Sequence, residues 1–310
     1  MGAGICQGRV VIVTGAGRGI GRAHAHELAR QGARVVVNDL DTALDGSGPG
    51  ASGPSSGGAA TEVVAEIEAE GGEAVANGDD VADWEGAQRL VNTAVEAFDR
   101  LDVVVNNAGF VRDRMFVSST EDEWDAVVRV HLKGHFAPAH WAAVHWREQA
   151  KAGRPVDARI INTTSGAGLM GSVGQSAYSA AKGAIASLTL VQAAELARYG
   201  ITANAIAPAA RTRMTEGVFT EMMAPPSDGG FDAMAPDNVA PLVAWLASIE
   251  SAGVTGRVFE VEGGKVSVAD GWRHGPAIDN GARWEPADVG VAVRKLLAEA
   301  PPPVQVYGGE

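Results

Sequence analysis

Val10-Val11-Ile12-Val13-Thr14-Gly15-Ala16-Gly17-Arg18-Gly19-Ile20-Gly21 sets an apolar, β-branched run directly against a glycine-rich turn, and an alanine-rich helical stretch follows from Ala23 to Ala29. Strand, turn and helix in that order make a dinucleotide fingerprint credible. The glycines let the backbone approach a pyrophosphate, and the helix amino terminus offers it unpaired N–H groups and a positive dipole end. Gly15, Arg18, Gly19 and Ile20 are the expected cofactor contacts of this turn.

Outward from the turn, apolar runs alternate with helical stretches at residues 9–13, 34–38, 73–76, 101–105, 158–163, 201–205 and 257–261. Continuous apolar strands separated by helices indicate a parallel sheet covered on both faces. The expected fold is therefore α/β, a single Rossmann-type doubly wound sheet of about seven strands. Its second strand ends in Asp39. A carboxylate there can accept hydrogen bonds from ribose hydroxyls and repel a 2'-phosphate, which favours NAD over NADP. Arg18 pulls the other way, and an aspartate after a strand is also an ordinary turn residue. Asp80 and Val81, after the third strand, are expected over the adenine. Asn107, Ala108 and Gly109 follow the fourth, at the carboxyl end where open α/β sheets bind ligands.

Ser165, Tyr178 and Lys182 stand as S-x12-Y-x3-K. Tyrosine and lysine four apart on a helix lie on one face and can share a site. A phenol with pKa near 10 is a poor base at neutral pH. A cation about 4 Å away at an effective dielectric near 20 favours the phenolate by roughly 4 kcal/mol, about three pKa units. Lys182 is the expected cation, and Ser165 the expected donor to a substrate oxygen. Singly, each residue reads equally well as a strand-end serine or a solvated helix pair. No metal ligand set is assigned.

With these residues assembled, the chain resembles the short-chain dehydrogenase/reductase family over residues 8–262. The resemblance implies an oxidoreductase in which Tyr178 is the general base in oxidation and the general acid in reduction. It also implies that Lys182 holds the nicotinamide ribose, with Tyr178, Pro208 and Thr212 near the nicotinamide. Shorter phrases resemble the 3-hydroxyacyl-CoA dehydrogenase domains of peroxisomal multifunctional enzymes of type 2 and their stand-alone bacterial relatives. They are residues 35–40, 111–114, 130–134, 213–215 and 239–243. The implied substrate is a small molecule, a coenzyme A thioester, with a free steroid or other apolar alcohol as the alternative. A non-catalytic NAD-binding sensor or scaffold is a third reading. Two departures from the wider family stand out. His131 occupies a position where many members carry an asparagine of the proton relay, so it either replaces that relay member or packs on its helix. Pro208-Ala209 replaces the usual Pro-Gly. The resemblance further implies a homo-oligomer that pairs the tyrosine-bearing helix and the long helix before it.

The chain has 310 residues, 46% of them hydrophobic, and a formal net charge of -13. That balance argues against nucleic acid or an anionic membrane as partner. One cysteine, Cys6, fits a reducing compartment. No run approaches a membrane span, and a cytoplasmic location is expected. Residues 1–264 are read as the NAD-binding domain, including a substrate loop at 211–236, with 265–310 as a carboxyl-terminal extension packed on it. The Gly/Ser-rich stretch 45–58 is read as a surface loop, and a helix is expected over 286–297, ended by Pro301-Pro302-Pro303. Met214, Met222 and Met223 are candidates to line an apolar pocket. Arg112, Arg114, Arg211 and Arg213 either meet coenzyme A phosphates or are solvated surface.

Overall fold

Runs of valine and isoleucine with no polar alternation form strands that helices cover on both sides, since neither strand face then meets water. In the computed structural model, which describes residues 4–42, 58–212, 223–226, 229–269 and 271–308, these runs build one sheet. Its strands are β1 (Val10–Thr14), β2 (Arg34–Asn38), β3 (Glu73–Asn77), β4 (Val103–Asn106), β5 (Ala158–Thr163), β6 (Ile201–Ala209), β7 (Val258–Glu262) and β8 (Lys265–Ala269). They lie in the order β3-β2-β1-β4-β5-β6-β7-β8. The first seven run parallel and β8 pairs antiparallel with β7.

The doubly wound sheet is the expected one, with an eighth strand added at its edge. That strand lies at the start of the stretch expected as a carboxyl-terminal extension. Glu262 pairs with Lys265, so Gly263-Gly264 is a two-residue hairpin turn, and Gly263 takes a φ of 53°. Gly-Gly between short apolar runs is a hairpin signal that the strand-helix alternation masks. The stretch 45–58 lies outside the described residues except for Gly58.

The helices are α1 (Gly19–Arg30), α2 (Ala59–Ala69), α3 (Trp84–Phe98), α4 (Glu121–Val128), α5 (Gly134–Lys151), α6 (Gly166–Met170), α7 (Ser176–Leu196), α8 (Ala240–Ala247) and α9 (Pro286–Glu299). Leu28, Ile67 and Val243, from α1, α2 and α8, pack with Val11, Val13, Val35 and Val37 on one face. Leu90, Trp146 and Ala193, from α3, α5 and α7, pack with Val10, Ile12, Val36 and Val104 on the other. Successive strand residues thus feed two cores. Helix α9 stops at Glu299, just ahead of the three prolines. No helix of the described residues is long and apolar enough to cross a membrane.

The two ends of the strands differ in chemistry. At the amino ends, buried Arg9 donates to the Ala247 carbonyl at 3.0 Å and pairs with Asp157 at 2.9 Å. Buried Arg159 pairs with the same carboxylate at 2.6 Å. That end is closed by its own polar network. At the carboxyl ends the strand order reverses between β1 and β4, which opens a crevice there.

His24 of α1 is fully buried, and neither ring nitrogen has a hydrogen-bond partner among the described residues. Burial pushes its pKa from 6.5 down to about 3. A depressed folded pKa contributes stability that is complete above the unfolded value of 6.5 and is lost as pH falls toward 3. A His24→Leu protein is therefore expected to lose less stability on acidification. The difference between the two proteins over that window has a slope of at most about 1.4 kcal/mol per pH unit. Denaturant unfolding at several pH values checks it, and equal slopes would refute it.

Candidate active site

Three elements converge beyond the end of β5. Ser165, two residues past the strand, caps α6, its hydroxyl accepting from the Ala167 N–H at 3.2 Å. Tyr178 and Lys182 lie one turn apart on α7, with the lysine Nζ 5.6 Å from the tyrosine ring centre. Lys182 is 2% exposed, and its ammonium donates to the Thr163 carbonyl at 2.7 Å. Thr164 Oγ1 donates to the Lys182 carbonyl at 2.7 Å. The end of β5 therefore holds both the head and the backbone of the lysine.

Burial lowers the Lys182 pKa to about 7. Burial also raises the Tyr178 pKa; the Ser165 hydroxyl opposes that rise and the Asp113 carboxylate adds to it. Desolvation acts on both groups and weakens the cation that was to stabilise the phenolate.

His131 sits in a π-helical turn, Arg129–Lys133, inserted between α4 and α5. Such widened turns often accompany functional sites, and no residue pattern announced this one. The ring packs edge-on against Tyr178 at 5.1 Å between centres. Its Nε2 lies 2.6 Å from the Phe110 carbonyl and 3.2 Å from the Phe110 N–H. The shorter contact assigns the proton to Nε2, donating to the carbonyl. Burial, with Lys182 adding to it, pushes its pKa to about 3. Gly109 is the only residue type that fits opposite: a Cβ there would come within 2.3 Å of the His131 ring.

The glycine-turn side is assembled by close backbone approach. Gly15, at a φ of 61°, lies so near β4 that a Cβ would be 2.7 Å from the Ala108 Cα. Asn107 donates from its amide to the carbonyls of Thr14 and Gly15 at 2.9 and 3.1 Å. Thr14 Oγ1 accepts from the Asn107 and Ala108 N–H groups at 2.9 and 3.1 Å. Gly19, at a φ of 54°, faces the Thr212 methyl, 3.7 Å from where a Cβ would stand. Ile20 packs against the core under α1. Pro208 lies in β6 opposite Val261.

At the end of β2, Asp39 Oδ2 accepts from the Gly17 N–H at 2.8 Å and Oδ1 from the Asp41 N–H at 2.8 Å. Arg18 turns away to pair with Asp41 at 3.0 Å. Asp80 accepts from the Ala82 N–H at 2.8 Å and pairs with Arg129 at 2.6 Å, beside buried Val81.

Several partners were invisible in the sequence. Thr163 acts through a carbonyl, which any residue carries, and Thr14 through a hydroxyl inside an ordinary strand. Asp41 and Asp113 gain their roles from chain folding alone. Of the arginines proposed to meet phosphates, Arg114 pairs with Glu123 at 2.9 Å, Arg211 pairs with Asp232, and Arg112 lies over the Phe110 ring at 5.3 Å. Met223 is buried, while Arg213, Met214 and Met222 lie outside the described residues.

A family model described as short chain dehydrogenase matches residues 9–45 and 53–222. The chain is 43% identical over 307 residues to the hydroxyacyl-CoA dehydrogenase ChsB1 of Mycobacterium tuberculosis, covering 95% of this chain and 90% of that protein. It is 45% identical over 257 residues to peroxisomal multifunctional enzyme type 2 of Mus musculus, covering 83% of this chain and 32% of that longer protein. The crystal structure of a short chain dehydrogenase from Mycobacterium avium matches with a TM-score of 0.88 at 63% identity, covering 99% of this chain and 100% of that one.

Proposed function

We infer that this chain, which belongs to the short chain dehydrogenase family and is an oxidoreductase acting on CH–OH groups, is an NAD-dependent 3-hydroxyacyl-CoA dehydrogenase. The observation that carries this reading is the grouping of Ser165, Tyr178 and Lys182 at the carboxyl end of β5. It occurs in a chain similar over 95% of its length to a hydroxyacyl-CoA dehydrogenase. The residues lining the crevice fit a nicotinamide dinucleotide, because Gly15 and Gly19 adopt left-handed conformations and Gly15 is pressed against Ala108. NAD over NADP is supported by the Asp39 carboxylate at the ribose end of the crevice and by Arg18 being paired with Asp41. Gly15, Arg18, Gly19, Ile20 and Asp39 would hold the adenosine and pyrophosphate portion, with Asp80, Val81, Asn107, Ala108 and Gly109 beside it. Tyr178 and Lys182 would flank the nicotinamide ribose, with Pro208 and Thr212 beside the nicotinamide amide.

When bound, NAD supplies the hydride acceptor in oxidation and, reduced, the donor. In oxidation, Tyr178 takes the hydroxyl proton while Ser165 donates a hydrogen bond to the same oxygen as it becomes a carbonyl. Protonated Lys182, anchored on the Thr163 carbonyl, stabilises the phenolate. His131 packs behind the tyrosine as a neutral imidazole, which supports a positioning role as much as a relay.

The acyl-CoA portion has less support. Arg114 and Arg211 already hold carboxylates, which favours the alternative of a steroid or other apolar alcohol as substrate. Absorbance at the reduced-nicotinamide band, with (3R)- and (3S)-hydroxyacyl-CoA esters beside free steroid alcohols, separates the two. Turnover of one thioester series is expected; turnover of free alcohols alone would overturn the thioester assignment. NAD binding without turnover of any of these substrates would instead favour a non-catalytic sensor or scaffold.

Residues 1–264 are read as one NAD-binding domain with 265–310 packed on it, a reading supported by the pairing of β8 with β7. Association into a homo-oligomer is supported by the apolar outer faces of α5 and α7, where Phe136, Leu190 and Val191 are exposed. A hollow of about 550 Å³ lined by Val128, Leu132, Phe136 and Leu188 lies there too. Sedimentation as a monomer at micromolar concentration would refute association. The free, buried thiol of Cys6 fits a cytoplasmic enzyme.

A further inference from the structure

We propose that residues 304–308, which run beside the loop joining Ser165 to Tyr178, form an apolar wall of the substrate site and set its preference for acyl-group length. This rests on the hydroxyacyl-CoA reading above.

The segment is bonded to that loop by its backbone. The Val173 N–H donates to the Tyr307 carbonyl at 2.9 Å and the Tyr307 N–H to the Gly171 carbonyl at 3.2 Å, which pairs Tyr307 with Ser172 as in a short parallel sheet. From another side, the Arg114 N–H donates to the Gly174 carbonyl at 2.7 Å. Gln175 donates to both Asp113 carboxylate oxygens at 3.0 Å. The loop between the catalytic serine and tyrosine thus has its conformation set from two sides, one of them by chain more than a hundred residues later in sequence.

Contact with the residues that follow Ser165 is close. A Cβ on Gly166, directly after Ser165, would lie 2.9 Å from the Tyr307 hydroxyl. One on Gly171 would lie 2.5 Å from Val306 Cγ1, at a φ of 82°. The two glycines let the segment lie against the loop. Upstream, three prolines both end α9 and favour an extended chain, which carries residues 304–308 across to this loop.

The chemistry of the rim points to its occupant. Met115, Val173, Val306 and Tyr307 are 57, 48, 42 and 51% exposed, on the loop that follows Ser165 and on the chain packed against it. A chain with a net charge of -13 has ample charged surface elsewhere. Apolar side chains gathered at a site mouth are the lining expected for an aliphatic or ring-bearing group beyond the reacting carbon. A short acyl group would end before reaching them.

The test compares the parent, a Tyr307→Ala protein and a chain ended at Ala300. The substrates are 3-hydroxybutanoyl- and 3-hydroxydecanoyl-CoA with NAD, and NADH affinity is read by fluorescence. Tyr307→Ala is expected to raise KM for the decanoyl ester about tenfold relative to the butanoyl ester, the loss of part of an aromatic contact. NADH affinity is expected to stay within about twofold of the parent, because Tyr307 rests on Gly166 and pairs with Ser172, neither of which is among the residues expected to hold the cofactor. An unchanged ratio of the two KM values in Tyr307→Ala overturns the proposal. So does an equal loss for both esters, which would mark the segment as scaffold; the shortened chain, if folded, should show the larger selective effect. If the parent oxidises only free alcohols, the thioester reading fails. The same ratio taken between 2-butanol and 2-decanol then decides the segment's role.

Discussion

Replacing Tyr178 by phenylalanine is expected to lower kcat about a thousandfold, within the range that positioned acid-base groups contribute. NADH affinity should stay within about a factor of two, since the ring that shapes the site is kept. The geometry leaves little to substitute for the phenol. His131 behind it is neutral and directed at the Phe110 carbonyl, and Lys182 is directed at the Thr163 carbonyl. Burial raises the Tyr178 pKa in the free protein, and a positive nicotinamide beside it should lower that pKa by favouring the phenolate. The parent's kcat for oxidation should therefore rise with pH, and the phenylalanine protein should lose that dependence. Steady-state rates across pH with stopped-flow NADH binding test both parts; near-parental kcat in Tyr178→Phe would remove the residue from the chemistry.

The second large effect concerns the choice of dinucleotide. Asp39→Ser is expected to shift the ratio of kcat/KM for NAD to that for NADP by about a hundredfold toward NADP, or about 2.7 kcal/mol. Like charges about 4 Å apart at an effective dielectric near 20 repel by roughly 4 kcal/mol, and partial exposure of the crevice reduces this. The substitution also releases the Gly17 and Asp41 N–H groups that Asp39 now occupies, and these become donors for a 2'-phosphate. An unchanged ratio would mean that the ribose end of the dinucleotide does not lie at Asp39.

Local patterns made much of the molecule legible. The run Val10–Thr14 is a strand because it is β-branched and apolar throughout, and the glycines after it act through backbone freedom that no other residue has. Tyr178 and Lys182 share a site because four residues make about one helical turn. The sheet edge was less legible: Gly263-Gly264 turns the chain into β8, yet a reader following the alternation of strand and helix passes over a hairpin. The electrostatics were less legible for a related reason. Spacing placed a lysine near the tyrosine, but spacing contains no desolvation, and burial of Lys182 brings its pKa to about 7.

The sequence by itself determined the parallel sheet and the position of the glycine turn, and singled out Ser165, Tyr178, Lys182 and Asp39 as candidates, because each depends on intrinsic backbone preference or on spacing within one element. Only the tertiary structure decided that Thr163 anchors the lysine, that Asp41 takes Arg18 away from Asp39, and that Tyr307 rests against Gly166. Those contacts join residues distant in the chain, or use backbone atoms that every residue possesses. Neither kind leaves a local mark, and each exists only once the sheet has brought the carboxyl ends of its strands together.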